Sequence, residues 1–218
     1  MSPDEPPVVP TLFVLAGVNG AGKSSIGGAW IHDTGAFYFN PDEAARAIRS
    51  EIGCSIEEAN AQAWQEGKDR IESAIRRRES FAFESTLGAN TIPRLLGEAV
   101  KSGFEVVVWF VGLSSVEQHI ARVRSRVAAG GHDIPEAKIR ERWDGSRRNI
   151  ISLMPYLTEL RVYDNSRNRD PITGEIPSPQ LILRCVRGLI VSLAELEEVP
   201  EWAKPILARA VQLHRMKR

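Results

Sequence analysis

The residues best suited to chemistry stand close together near the start of the chain. Gly17, Gly22, Lys23 and Ser24 are spaced as G-x-x-x-x-G-K-[ST] within TLFVLAGVNGAGKSS, residues 11–25, which is the P-loop pattern. Its chemistry is oligophosphate binding. Glycines let backbone N–H groups turn inward around an anion, and a helix starting near Gly22 aims its positive end at the same point. Lys23 would neutralise β- and γ-phosphates, and the Ser24 hydroxyl would hold Mg²⁺. The candidate nucleotide-binding residues are therefore Gly17, Asn19, Gly20, Ala21, Gly22, Lys23, Ser24 and Ser25, with Ser24 as the metal ligand. A glycine-rich turn that binds nothing would need neither the lysine nor the hydroxyl.

A P-loop alone leaves kinase, motor ATPase and switch GTPase open, so the acidic residues decide among them. There is no N-K-x-D and no apolar strand ending in D-x-x-G, which disfavours a GTPase. The most apolar strand, residues 104–111, ends in Gly112-Leu113 where a motor ATPase would carry an aspartate. The carboxylates that do follow strands are Asp42 and Glu84. In a doubly wound sheet the carboxyl ends of strands line the ligand crevice. Asp42 could then accept a proton from a substrate hydroxyl, and Glu84 could orient Mg²⁺ or substrate. The competing readings are a helix N-terminal carboxylate for Asp42 and a solvated turn residue for Glu84.

Arg122, Arg124, Arg126, Arg140, Arg142, Arg147 and Arg148 lie on two helical segments joined by Gly130-Gly131-His132-Asp133-Ile134-Pro135. Folded over the phosphates, such a pair would act as a lid that brings guanidinium groups onto the γ-phosphate. For any single arginine, a salt-bridged helix face is the plainer reading. His132 is expected to shape the loop, because nothing pairs it with a nucleophile. Trp64, Trp109 and Trp143 are expected in the core, with base stacking the alternative.

These residues need an α/β frame to position them. Residues 12–16 read as a buried strand, 23–32 as the phosphate-side helix, 36–39 as a short strand, and Asn40-Pro41 as the cap and first turn of the next helix. A longer helix spans residues 56–78, with Ile56, Ala59, Ala63, Gly67, Ile71 and Ile75 at helical spacing. Residues 81–83 are a strand ending at Glu84-Ser85-Thr86, 92–101 a helix, 104–111 a strand, and 116–128 and about 135–150 the arginine-rich helices. Strands are expected near 161–163 and 181–185, and a terminal helix near 205–216. This alternation predicts an α/β P-loop NTPase fold: a three-layer sandwich with a mainly parallel sheet and an arginine-rich helical lid at about 120–150.

The 218 residues fit a single domain over 11–218, after a proline-rich mobile leader at 1–10. Lys plus Arg and Asp plus Glu each total 28, so net charge gives no reason to expect nucleic acid or anionic lipid. Cys54 and Cys185 match neither a redox nor a zinc pattern, which fits thiols in a reducing compartment, and cytoplasm is the expected location. No apolar run is long enough to span a bilayer.

In this order the motifs resemble the zeta toxin family of P-loop kinases, and within it the stand-alone branch described as zeta-toxin-like or predicted ATPase. The resemblance rests on GVNGAGKSS, FNPDEAAR, FESTL, GFEVVVWFVGL, RVRSRVAAGGHDIPEAKIRERW and YDNS, and covers about residues 11–189. It implies ATP/Mg²⁺-dependent phosphorylation of a small-molecule hydroxyl; toxin members phosphorylate UDP-N-acetylglucosamine. By position, Lys23 and Ser24 match the phosphate and Mg²⁺ ligands, Asp42 the catalytic base, and Glu84 the acidic residue after the third strand. Arg126 and Arg140 match the lid arginines, with Arg122 and Arg142 within one helical turn of them. The toxins' sugar-nucleotide contacts find no match here. The chain carries no antitoxin-like helical bundle, so any antitoxin would be a separate partner. Beside the kinase reading stand a regulatory ATPase without a small-molecule acceptor and, disfavoured by the neutral charge, a nucleic-acid end kinase.

Overall fold

The structure is a computed structural model and describes residues 8–23, 26, 38–131, 133–168 and 172–218. Seven strands form one sheet: β1 (Thr11–Ala16), β2 (Tyr38–Phe39), β3 (Phe81–Ser85), β4 (Glu105–Gly112), β5 (Glu159–Asp164), β6 (Gln180–Val186) and β7 (Leu189–Leu193). Their spatial order is β2-β3-β1-β4-β5-β6-β7. Pairs from β2 to β5 are parallel, and β6 and β7 join antiparallel. β1 lies between β3 and β4 and is covered on both faces, so it reads as an unbroken apolar run with no polar alternation.

The α-helices that lie among the described residues are α1 (Pro41–Ile52), α2 (Ile56–Arg77), α3 (Thr91–Lys101), α4 (Val116–Ala128), α5 (Glu136–Leu153) and α6 (Lys204–Met216). Local signals set their ends. Asn40 caps α1 through its side chain, with Pro41 in the first turn, and Gly53 at φ 66° closes it. Ser55 and Glu58 form a reciprocal capping box on α2. On one sheet face, Leu12, Val14, Val106, Val108, Phe110, Leu160 and Val162 pack with Leu95 and Leu96 of α3, Ile150 and Leu153 of α5, and Ile206 and Leu213 of α6. On the other, Phe13, Leu15, Ala82, Trp109 and Val111 are joined by Ile26. The α/β fold with a mainly parallel sheet is thus the one observed.

Three details differ from the sequence reading. Glu84 and Ser85 belong to β3 itself, paired with Leu15 and Ala16 of β1. β7 goes beyond it: Arg187 and Gly188, both at positive φ (49° and 81°), make the tight turn that folds it back on β6. Trp109 is buried and Trp143 packs against the core, but Trp64 is 48% exposed. It follows Ala63 on α2, so it falls off the buried stripe of Ala59, Ala63, Gly67 and Ile71. The expected leader and the 23–32 helix fall largely outside the described residues, as do Ser24, Ser25 and His132. Among the described residues no helix is long and apolar enough to cross a membrane.

Candidate active site

The turn after β1 has backbone that requires glycine. Gly17, Gly20 and Gly22 have φ of 150°, 81° and 81°, conformations that side-chain-bearing residues rarely adopt. A Cβ on Gly17 would lie 2.4 Å from the Val111 carbonyl oxygen, and one on Gly20 2.8 Å from that of His119. The turn is therefore pressed against β4 and α4. It is further tied by Gly17 N–H donating to the Ser85 carbonyl (3.1 Å) and Ala21 N–H to that of Val18 (3.0 Å). The Lys23 ammonium donates to the Gly17 carbonyl (3.0 Å) and lies 3.7 Å from the Glu84 carboxylate, both side chains nearly buried. A curled, glycine-dependent backbone enclosing a buried lysine fits an oligophosphate.

Around this turn stand the ends of β2 and β3. The Asn40 side-chain oxygen accepts from Asp42 N–H (2.9 Å) and Glu43 N–H (3.4 Å), while its amide donates to Glu84 (3.4 Å). One side chain thus caps α1 and links it to β3, which fixes Asp42 relative to Glu84. Tyr38 lies beside them, its phenol raised far above the ordinary range by burial first and by the Glu84 and Glu43 carboxylates next. It stays protonated. Among the described residues no three His, Cys, Asp or Glu side chains converge as a protein-only metal site. The Glu84 carboxylate beside a turn that fits an oligophosphate suits Mg²⁺, which is ordinarily held through few carboxylates and the substrate's phosphates.

The arginines divide. Arg126 of α4 pairs with Asp42 (3.4 Å); Arg142 of α5 donates to the Asn19 side-chain oxygen in the turn (2.7 Å). Burial lowers the Arg142 pKa, and Asp42 partly offsets the effect, so Asp42 sits in the field of two guanidinium groups. Arg140 instead pairs with Glu117 at the surface (3.0 Å, its side chain 51% exposed), and Arg124 pairs with Glu136. Arg122 donates to the Arg167 carbonyl (3.1 Å). The structure therefore gathers Gly17, Asn19, Gly20, Lys23, Asp42, Glu84 and Arg126 with Arg142, and directs Arg140 to Glu117.

His119, Gly88, Gly145 and Asn149 contribute to the site without a distinctive motif, and Asp164 and Asn165 contribute from the YDNS stretch. His119 is fully buried and touches Asn19; the signal for it is that residue 119 falls on the Val116, Ile120, Val123 stripe of α4, where an apolar residue is expected. Gly88 and Gly145 bring α5 against the loop after β3: a Cβ on Gly145 would lie 2.2 Å from the Gly88 carbonyl oxygen. Asn149 of α5 donates to the Leu87 and Ala89 carbonyls in that loop (2.7 and 3.2 Å). Asn165, after β5, donates its amide to the Ala21 carbonyl (2.8 Å) and its backbone N–H to that of Gly112 (3.0 Å). Asp164 accepts from the Trp202 indole (2.8 Å), and Trp202 lies over Gly112, where a Cβ would come within 2.5 Å of the ring.

No protein-family model matches the chain. An uncharacterized protein of Haemophilus influenzae is 30% identical over 127 residues, 58% of this chain and 88% of that protein. Among solved structures, the AvrRxo1-ORF1:-ORF2 complex is similar at a TM-score of 0.62 with 19% identity, covering 94% of this chain and 71% of that one. The same complex solved with ATP gives 0.61, 20%, 94% and 64%. The PezAT chromosomal toxin-antitoxin system of Streptococcus pneumoniae gives 0.53 with 13% identity, over 96% of this chain and 89% of that one. At these identities the likeness shows the fold, a P-loop kinase-like α/β sandwich.

Proposed function

Because the chain belongs to the same family as the uncharacterized Haemophilus influenzae protein and has a P-loop kinase-like fold, we propose that it is an ATP/Mg²⁺-dependent kinase acting on a small-molecule hydroxyl. The observation that carries this reading is the meeting of Lys23, Glu84, Asp42, Arg126 and Arg142 at the carboxyl ends of β1, β2 and β3. The solved neighbour that contains ATP supports the nucleotide. Lys23 binds the β- and γ-phosphates against the Gly17–Gly22 turn. Ser24 and Glu84 would hold Mg²⁺, which, bound with the nucleotide, offsets phosphate charge. Arg126 and Arg142 supply the guanidinium groups for charge that spreads in the transition state, and Arg140 would take the place of Arg142 there only after a rotation of the α4–α5 hairpin that frees it from Glu117. Asp42 takes the acceptor's proton. The Arg126 contact holds that carboxylate ready and must loosen as the acceptor hydroxyl arrives.

The acceptor class to test first is a UDP-sugar, following the zeta toxin resemblance. The toxin-antitoxin setting of the PezAT neighbour supports an antitoxin as a candidate partner. The test is to incubate the protein with ATP, Mg²⁺ and a metabolite extract that includes UDP-sugars, and to follow masses. The expected result is a metabolite heavier by one phosphoryl group, absent with Lys23→Ala. With that acceptor, Asp42→Asn should bind ATP as wild type does but transfer roughly 10²- to 10⁴-fold more slowly. ATP loss without any phosphorylated metabolite would support the regulatory ATPase reading, and no ATP loss would overturn both.

A further inference from the structure

His119 stands on α4 where the apolar stripe calls for a hydrophobic residue, and it is fully buried. Its Nδ1 lies 2.9 Å from the Asn19 carbonyl oxygen. A carbonyl only accepts, so Nδ1 carries the proton and donates. Nε2, the other ring nitrogen, is buried and has no hydrogen-bond partner among the described residues, and the ring meets Trp143 of α5 edge-on at 5.1 Å. Burial holds the imidazole neutral, with Lys23 and Arg122 adding to the effect. Asn19 is held from its other side by Arg142. A trans peptide points its C=O and N–H in opposite directions. Fixing the Asn19 carbonyl toward α4 therefore turns the Gly20 N–H away from α4, the orientation an anion-binding turn requires.

We infer that His119 is a positioning residue of the nucleotide site: by donating from Nδ1 to the Asn19 carbonyl it sets the Asn19–Gly20 peptide so that the Gly20 N–H faces bound phosphate. The inference rests on the turn being the ATP site. It separates the hydrogen bond from mere filling of space, because three substitutions preserve different parts of the ring. Asn places an amide donor where Nδ1 stands, Gln places one nearer Nε2, and Leu keeps only the bulk.

The experiment is calorimetric titration of each variant with ATP and Mg²⁺, with a thermal melt on the same sample. His119→Leu is expected to bind ATP about tenfold or more weakly, the worth of one well-placed buried hydrogen bond. His119→Asn should stay within about threefold of wild type. If the Leu variant does not fold, the Asn and Gln pair carries the test, with Gln expected to bind about tenfold more weakly than Asn. A wild-type affinity in a folded His119→Leu, or equal affinities for Asn and Gln, would overturn the inference while leaving the ATP site standing. A wild-type protein that binds no ATP would overturn both.

Discussion

Arg140 and Arg142 differ by two positions on α5, a rotation of about 200° on a helix, so one backbone placement cannot turn both to the same ligand. The helix gives the turn after β1 to Arg142 and the surface to Arg140. Arg142→Ala should accordingly reduce phosphoryl transfer by roughly 10- to 10³-fold, within the range for losing a preorganised cationic donor. Arg140→Ala should cost less, and steady-state kinetics on the two variants checks the order. If Arg140→Ala costs more, the hairpin of α4 and α5 rotates during turnover and Arg140 exchanges Glu117 for phosphate. His119 also has a consequence for stability. Burial, with Lys23 and Arg122, lowers its pKa from 6.5 to about 4, so between those values the unfolded chain binds more protons than the folded one. Stability contributed by the neutral ring is complete above pH 6.5 and falls by up to about 3 kcal/mol as pH drops to about 4. Urea titrations of wild type and His119→Asn across that interval should differ in slope, the variant being the flatter.

At the scale of elements, the site depends on how closely α5 approaches the loop after β3. That approach is made at Gly88 and Gly145, with Asn149 donating to two carbonyls of the same loop and Arg142 passing over Gly88. A methyl at 145 would meet backbone atoms of residue 88, which cannot rotate aside, so α5 would have to move. Gly145→Ala should destabilise the protein by about 1–3 kcal/mol and weaken the Arg142 contact with Asn19, lowering both the melting temperature and transfer. Gly97 of α3 is the control, since a Cβ there meets nothing within 4 Å. Gly97→Ala should be neutral or stabilising by up to about 1 kcal/mol. Equal melting temperatures for the two variants would show that the Gly88–Gly145 contact is not limiting.

Across the whole molecule, the antiparallel end of the sheet is tied to the turn that begins the site. Asn165 reaches the Ala21 carbonyl, Trp202 binds Asp164 and covers Gly112, and Arg187 N–H donates to the Thr158 carbonyl ahead of β5. Residues far along the chain thus complete contacts begun by the first strand. This connectivity predicts one cooperative unfolding transition for the chain. Urea denaturation followed by far-ultraviolet circular dichroism and by the intrinsic fluorescence of the five tryptophans should give coincident curves. Separate transitions would mean that the β6, β7 and α6 end unfolds on its own.

The sequence determined what local rules determine. The 11–25 pattern locates the glycine-rich turn proposed to bind phosphate, because glycine conformations and a lysine at fixed spacing are chain-local properties. Asn40-Pro41 likewise fixes a helix start through bonds to neighbours. Periodicity locates α2, and the apolar runs of β1 and β4 mark strands buried on both faces. Nothing local distinguishes Arg142 from Arg140, because that choice depends on the azimuth of α5, which is set where Gly145 meets Gly88, two residues separated in the chain by α3, β4 and α4. The role of Asn40 in holding Glu84 and the contact of His119 with Asn19 join residues 44 and 100 positions apart. Only the packing of α1 and α4 against the strand ends brings them together. β7 escapes local rules for a related reason: it is apolar apart from Ser192 although largely exposed, so neither alternation nor burial marks it, and its pairing with β6 decides it.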